Sequence, residues 1–237
     1  MGAATSRLAE TAWESADGGL GPEGQCVRQA DSPLAGYEEV TLAKRNALNR
    51  RSFDVMDANG TKIFSTEVAS KTRMHFEVVD STGQKVVRVT TGPYRRVWEV
   101  YTYEKPAKDA QPDGKVSAKA EAPVYKRAVL KLGFQRIDGD FCLVGNDGTM
   151  GPPLFHAEAI KGVKAKVQAY GVPAGFDKKV AAELPPLCAY WDWQHNFLRA
   201  KHWVTLKLAK GTDRLAFIIC VVIFELMQQE NPAGATS

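Results

Sequence analysis

The segment Leu215 to Met227 constrains this chain more than any other part of it. Thirteen residues run there with only one charge, Glu225. Thr212-Asp213 precedes them and supplies a helix start, with Thr212 as the N-cap and Asp213 against the positive end of the helix dipole. Asn231-Pro232 supplies the stop. A helix on a protein surface keeps one polar face, whereas this one is apolar all round and must be surrounded. A bilayer span needs about 20 apolar residues, and this run falls well short of that. The favoured solution is a helix threaded through protein, with a barrel of apolar inward faces as the wall, and a short span accommodated by tilt or bilayer thinning is the alternative.

The sequence ahead of the helix is rich in strand signals. Phe53-Asp54-Val55-Met56 alternates, Asp57-Ala58-Asn59-Gly60 turns, and Lys62-Ile63-Phe64 resumes. The unit recurs 23 residues later as Phe76 to Val87, with Phe, Val, Asp, Gly and Lys in register. Trp98-Glu99-Val100-Tyr101 opens a third copy, whose turn is replaced by the lysine-rich stretch from Glu104 to Pro123, read as a long hairpin loop. Repeated hairpins build a meander, and a long meander closes on itself to remove its edges.

Further strands are expected at Tyr125 to Gln135, Phe141 to Val144, Leu154 to Ile160, Lys164 to Tyr170, Trp191 to Leu198 and His202 to Leu208. Phe176 to Leu184 reads as a short helix. Trp191, Trp193, His195 and Phe197 share one strand face and read as inward barrel wall. Residues 1–36 are rich in Gly, Ala, Ser and acidic residues and have no apolar period. They read as a disordered tail, as do 231–237, leaving residues 37–230 as the folded domain.

Two hairpins of the form F-x-V-x-D-x-x-G, then W-E-V-Y, then the terminal V-T-L-K-L-A-K-G-T-D-R-L-A-F-I-I-C-V-V-I-F-E-L segment resemble the LURP-one-related family of the tubby-like superfamily. The resemblance runs from about Tyr37 to Gln229 and is strongest at the two hairpins and the final helix. It implies a mainly β fold, a twelve-stranded antiparallel barrel enclosing the hydrophobic C-terminal helix. Related barrels include tubby proteins, which bind phosphoinositides, and phospholipid scramblases. Scramblases carry a cysteine-rich segment and an acidic stretch before the final helix, and this chain has neither.

The net charge is +4, yet residues 1–36 hold two basic and five acidic side chains, so the remainder is +7. Basic residues recur just before three successive strands: Arg50 and Arg51 (with Lys44 and Arg45), Lys71 and Arg73, Arg95 and Arg96. Such connections suit one rim of the barrel, where guanidinium and ammonium groups hold a phosphorylated lipid headgroup by charge-assisted hydrogen bonds. The competing reading is solvated charge on the barrel exterior. The tubby phosphoinositide motif itself does not occur, so these six residues come from their spacing alone. Met1-Gly2-Ala3-Ala4-Thr5-Ser6 fits the pattern for myristoylation of Gly2. One such chain holds a membrane marginally and needs a second signal, which a basic barrel face would supply.

Other motifs fail on context. Gly19-Leu20-Gly21-Pro22-Glu23-Gly24 satisfies a dinucleotide fingerprint in form but has no strand ahead of it. Asp138, Asp140 and Asp147 flank a glycine-rich turn and offer a loose cation site without EF-hand spacing. Four scattered cysteines and four histidines show no zinc spacing. Hydrolase, kinase, P-loop and metalloprotease signatures do not occur. The sequence therefore points to a monomeric, cytoplasmic, non-enzymatic binding module with no cofactor or metal and no nucleic-acid partner. Anionic membrane lipid is the expected ligand. A lipid-transfer or scramblase-like protein, and an enzyme with a site in the barrel mouth, are the alternatives.

Overall fold

A computed structural model describes residues 13–17, 25–29, 37–45, 52–70, 75–103, 124–133, 138–145, 148–159, 166–172, 187–196, 201–209 and 212–230. The short helix read at Phe176 to Leu184, the loop from Glu104 to Pro123 and the tail 231–237 lie outside them. Within 1–36, read from composition as a tail without structure, β1 (Trp13–Asp17) and β2 (Gln25–Gln29) pair as an antiparallel two-stranded sheet. That sheet is separate from the main one, which begins at Tyr37.

Twelve strands form the main sheet: β3 (Tyr37–Lys44), β4 (Phe53–Met56), β5 (Lys62–Ser70), β6 (His75–Asp80), β7 (Lys85–Thr91) and β8 (Val97–Tyr103) in the first half. The second half adds β9 (Val124–Leu132), β10 (Asp138–Val144), β11 (Met150–Ala159), β12 (Lys166–Gly171), β13 (Leu187–Asn196) and β14 (Lys201–Ala209). Each pairs antiparallel with the next, and β14 pairs back to β3, from Trp203 opposite Ala43 to Ala209 opposite Tyr37. Closure leaves the barrel with no free edge. The helix α1 (Arg214–Glu230) follows directly.

The repeat visible in the sequence is a repeat in space. Asp57 Oδ1 accepts hydrogen bonds from the backbone N–H groups of Asn59 and Thr61 at 2.9 and 2.8 Å. Asp80 Oδ1 does the same for Thr82 and Gln84, both at 2.9 Å. Gly60 and Gly83 take φ of 77° and 87°, a left-handed conformation that costs little only without a Cβ. The β10–β11 turn repeats this geometry, with Gly148 at φ 81° and Gly145 standing where the first two turns have Asp. The sequence motif does not mark this third turn, because its Asp is missing.

Alternation sends Val40, Leu42, Phe53, Val55, Phe76, Val78, Val87, Val89, Trp98 and Val100 inward, all essentially buried. Val204, Leu206 and Leu208 do the same in β14, and Trp191 and Trp193 in β13, as alternation predicts. An eight-stranded barrel is filled by its own side chains, whereas twelve strands leave room for a helix about 10 Å across. Across β11, β12 and β13 the inward row is Ala157, Ala169 and Ala189, register partners whose short side chains widen the interior.

Every residue of α1 from Leu215 to Met227 is buried, including Phe217, Ile219, Val222 and Ile223 at 0–1% exposure. Phe217 stacks on Phe155, which stacks on Phe141, at centroid distances of 4.4 and 4.7 Å. Phe224 meets the edge of Trp191 at 5.7 Å. Each such burial contributes about 1.5–3 kcal/mol relative to exposure. The cap differs by one residue from the expected one. Asp213 Oδ1 accepts from Leu215 N–H and Ala216 N–H at 3.0 and 3.1 Å, so Asp213 is the N-cap. The Thr212 hydroxyl instead donates back to the Ala209 carbonyl at 2.8 Å, closing the turn that swings the chain inside. Among the described residues no helix is long and apolar enough to cross a membrane. A bilayer role for α1 would require it to leave the barrel.

Candidate functional site

An up-and-down meander has two ends, and strand order assigns each connection to one of them. Residues 45–52, 71–74, 92–96, 133–137, 160–165 and 197–200 each join an odd-numbered strand to the next even one, and all share the end toward which β3 runs. The C-terminal end of α1 points the same way, since the helix starts where β14 finishes. The first three of these connections carry Arg45, Arg50, Arg51, Lys71, Arg73, Arg95 and Arg96. The other three add Arg136, Lys161, Lys164 and Arg199. These eleven basic residues are joined by no Asp or Glu in any of the six segments. The connections at the opposite end hold seven basic and nine acidic residues. The connections that leave the two ends thus differ in formal charge.

Of the six basic residues singled out from spacing, Arg95 and Arg96 are described, the former half-buried and the latter exposed. Arg50, Arg51, Lys71 and Arg73 lie outside the described residues, as does Gly2. Arg136, Lys161, Lys164 and Arg199, which spacing does not single out because the second half lacks the hairpin repeat, also lie outside the described residues.

Two neighbouring cations have other work. Lys44 ends β3 with its side chain mostly buried, and its Nζ lies 2.5 Å from Glu225 Oε1 on the last turns of α1. Arg45 Nε donates to Asp54 at 2.8 Å and its guanidinium lies 3.7 Å from Glu67. Lys44 is paired inside the barrel, whereas Arg45 is paired on its exposed outer face.

The outer wall carries a second polar assembly. Glu77 is 3% exposed, although it sits on the outward face of β6. Tyr103 Oη donates to its Oε1 at 2.6 Å, Lys85 Nζ lies 2.6 Å from Oε2, and Arg88 approaches Oε1 at 3.3 Å. Burial pushes the Glu77 carboxyl up, but hydrogen bonds from Lys85, Tyr103 and Arg88 outweigh it and leave the group below the ordinary value. Burial, and then the hydrogen bond to Glu77, push Tyr103 up to about 12. A carboxyl depressed in the folded state stabilises fully above its unfolded pKa of about 4.3 and loses that contribution as pH falls through the folded value. Glu77→Gln is expected to cost about 1–3 kcal/mol at neutral pH, by leaving charged donors short of an acceptor. Denaturant titrations should also show a shallower loss of stability below about pH 4 in the variant, since this carboxyl no longer titrates. Equal stability of variant and wild type at neutral pH would show that the cluster contributes nothing.

Two of the aspartates offered as a loose cation site are described. Asp138 and Asp140 lie at the start of β10, and residue 147 lies outside the described residues. Asp140 Oδ1 is instead 2.7 Å from His156 Nδ1. Among the described residues no group of His, Cys, Asp and Glu is arranged to hold a metal. Cys142, Cys188 and Cys220 are buried and free, and burial raises the pKa of all three thiols.

Comparison with known proteins adds the architecture. The X-ray structure of an Arabidopsis thaliana protein matches with a TM-score of 0.50 and 11% identity, over 81% of this chain and 92% of that one. The two chains share their fold. At that identity the likeness speaks for the fold alone. No protein-family model and no curated protein matches the sequence.

Proposed function

We propose that this tubby-like barrel is a non-enzymatic binding module that docks on anionic membrane lipid through its cationic rim. What supports the reading is the composition of the six connections that leave odd-numbered strands, eleven basic residues and no acidic ones, with Arg45 among them paired on the outer wall. A Lys or Arg near an anionic leaflet contributes up to about 1 kcal/mol, so several acting together are enough for peripheral binding. A phosphoinositide headgroup, with its clustered phosphates, fits the same set of donors. The negative end of the α1 dipole offers a structural use for nearby cations, but that influence fades within one helical turn and Lys44 already occupies the position. On this reading the protein is a cytoplasmic monomer, peripheral at a membrane, with Gly2 acylation as the second attachment.

The test compares acylated wild type, Gly2→Ala, and a variant with Arg50, Arg51, Lys71, Arg73, Arg95 and Arg96 neutralised, all on the same anionic vesicles. Neutralisation should lower affinity by an order of magnitude or more, and added salt should weaken wild-type binding as the Debye length shrinks to about 8 Å. Loss of the acyl chain should subtract from binding independently of salt. Salt-independent binding, or none in the acylated wild type, overturns the membrane reading and favours a protein ligand.

A further inference from the structure

Within this rim, the β7–β8 turn is built differently from a solvated loop. Its sequence is Gly92-Pro93-Tyr94-Arg95-Arg96, followed by Val97 at the start of β8. Tyr94 is 81% exposed and Val97 45%. Isolated apolar side chains on a surface are ordinary and imply nothing alone. Here the backbone beneath them is fixed. Arg95 N–H donates to the Gly92 carbonyl at 3.0 Å, and Arg95 takes φ 53°, the only non-glycine residue at positive φ among those described. A non-glycine residue stays in that region only where its surroundings over-determine it.

Those surroundings are visible. The Arg95 carbonyl accepts from the indole N–H of Trp98 at 3.2 Å, and Trp98 is fully buried against Phe76. The Arg96 carbonyl accepts from Leu132 N–H of β9 at 2.7 Å, and the Val97 carbonyl from the Thr91 hydroxyl at 2.9 Å. Three successive carbonyls are thus tied down, and the turn presents an aromatic ring beside two arginines in a fixed arrangement. Tyrosine, with an apolar body and a polar tip, settles at the level of lipid headgroups. A preformed tip loses little conformational freedom on insertion.

We propose that Tyr94, backed by Val97, enters the boundary between headgroups and acyl chains of an anionic bilayer while Arg95 and Arg96 engage lipid phosphate. The barrel then meets the membrane by this end, with the C-terminal end of α1 facing it. The proposal rests on the rim being the membrane-facing surface and adds the apolar contact that charge alone does not supply.

The experiment uses the full-length chain on mixed phosphatidylcholine–phosphatidylserine vesicles, read by sedimentation over a range of salt. Tyr94→Ser should weaken binding about fivefold at every salt concentration, as expected for withdrawing a partly inserted ring. The slope of affinity against salt should stay as in wild type, because no charge is removed. Tyr94→Trp should bind at least as tightly as wild type. Neither substitution should move the melting midpoint, since the ring lies outside the core. Wild-type affinity in Tyr94→Ser would overturn this inference and leave the cationic rim standing. Failure of the wild type to bind these vesicles would overturn both.

Discussion

Replacing Val222 with Asp is expected to abolish folding. Val222 lies in the middle of α1 with no exposed surface, and the groups around it are apolar side chains of the helix and the barrel wall. A carboxylate placed there has no donor and no water, and its transfer costs several kcal/mol even after it takes up a proton. A domain of this size has about 5–15 kcal/mol of net stability, so one such substitution removes much or all of it. The loss should be global, because the helix is the core of the barrel and the wall has no other filling. The measurement is a thermal or denaturant melt of purified protein by near-ultraviolet circular dichroism, where five tryptophans report packing. A cooperative transition within a few degrees of wild type would mean that α1 is not enclosed.

The second large effect concerns the one charge on the buried stretch of that helix. Lys44→Met should cost about 3–5 kcal/mol, because it leaves Glu225 buried without its counter-ion. Glu225→Leu strands Lys44 in turn, but a flexible ammonium at the end of β3 reaches water more easily, so its cost should be smaller. The double variant should recover most of the loss, since an apolar pair of similar volume is often neutral or stabilising in place of a buried ion pair. A double-mutant cycle in denaturant reads the coupling directly. Additive losses would mean that the two side chains act independently. The pair also has a positional effect. Its bond joins α1 to the end of β3, which holds the helix at one position along the barrel.

Residue chemistry alone reached the architecture because one segment left few solutions. The run from Leu215 to Met227 is too apolar for a surface and too short for a bilayer, and the F-x-V-x-D-x-x-G repeat said what surrounds it. Both signals are local. Period-two alternation places Phe53 and Val55 inside without reference to any distant residue, and Asp57 and Asp80 find their donors within four residues. Thr212 and Asp213 are both competent caps, so local chemistry alone does not choose between them. The choice fell to the turn that brings the chain inside, where Ala209 takes the threonine hydroxyl.

What the tertiary structure decided depends on partners far apart in the chain. The lysine that neutralises Glu225 comes from the first strand of the barrel, and no spacing rule connects it to the last helix. No local signal marks Glu77, and only the register of β6, β7 and β8 brings Lys85, Arg88 and Tyr103 around it. The rim is the clearest case. The basic residues were countable from the start, but the end of the barrel to which each connection belongs depends on the parity of every strand before it. One strand missed or added would move all later basic clusters to the other end. The sequence therefore supplied the charges and their recurrence in the first three hairpins. Closure into twelve antiparallel strands sets the end of the barrel from which each connection leaves, because in a meander the direction of each strand is inherited from the one before.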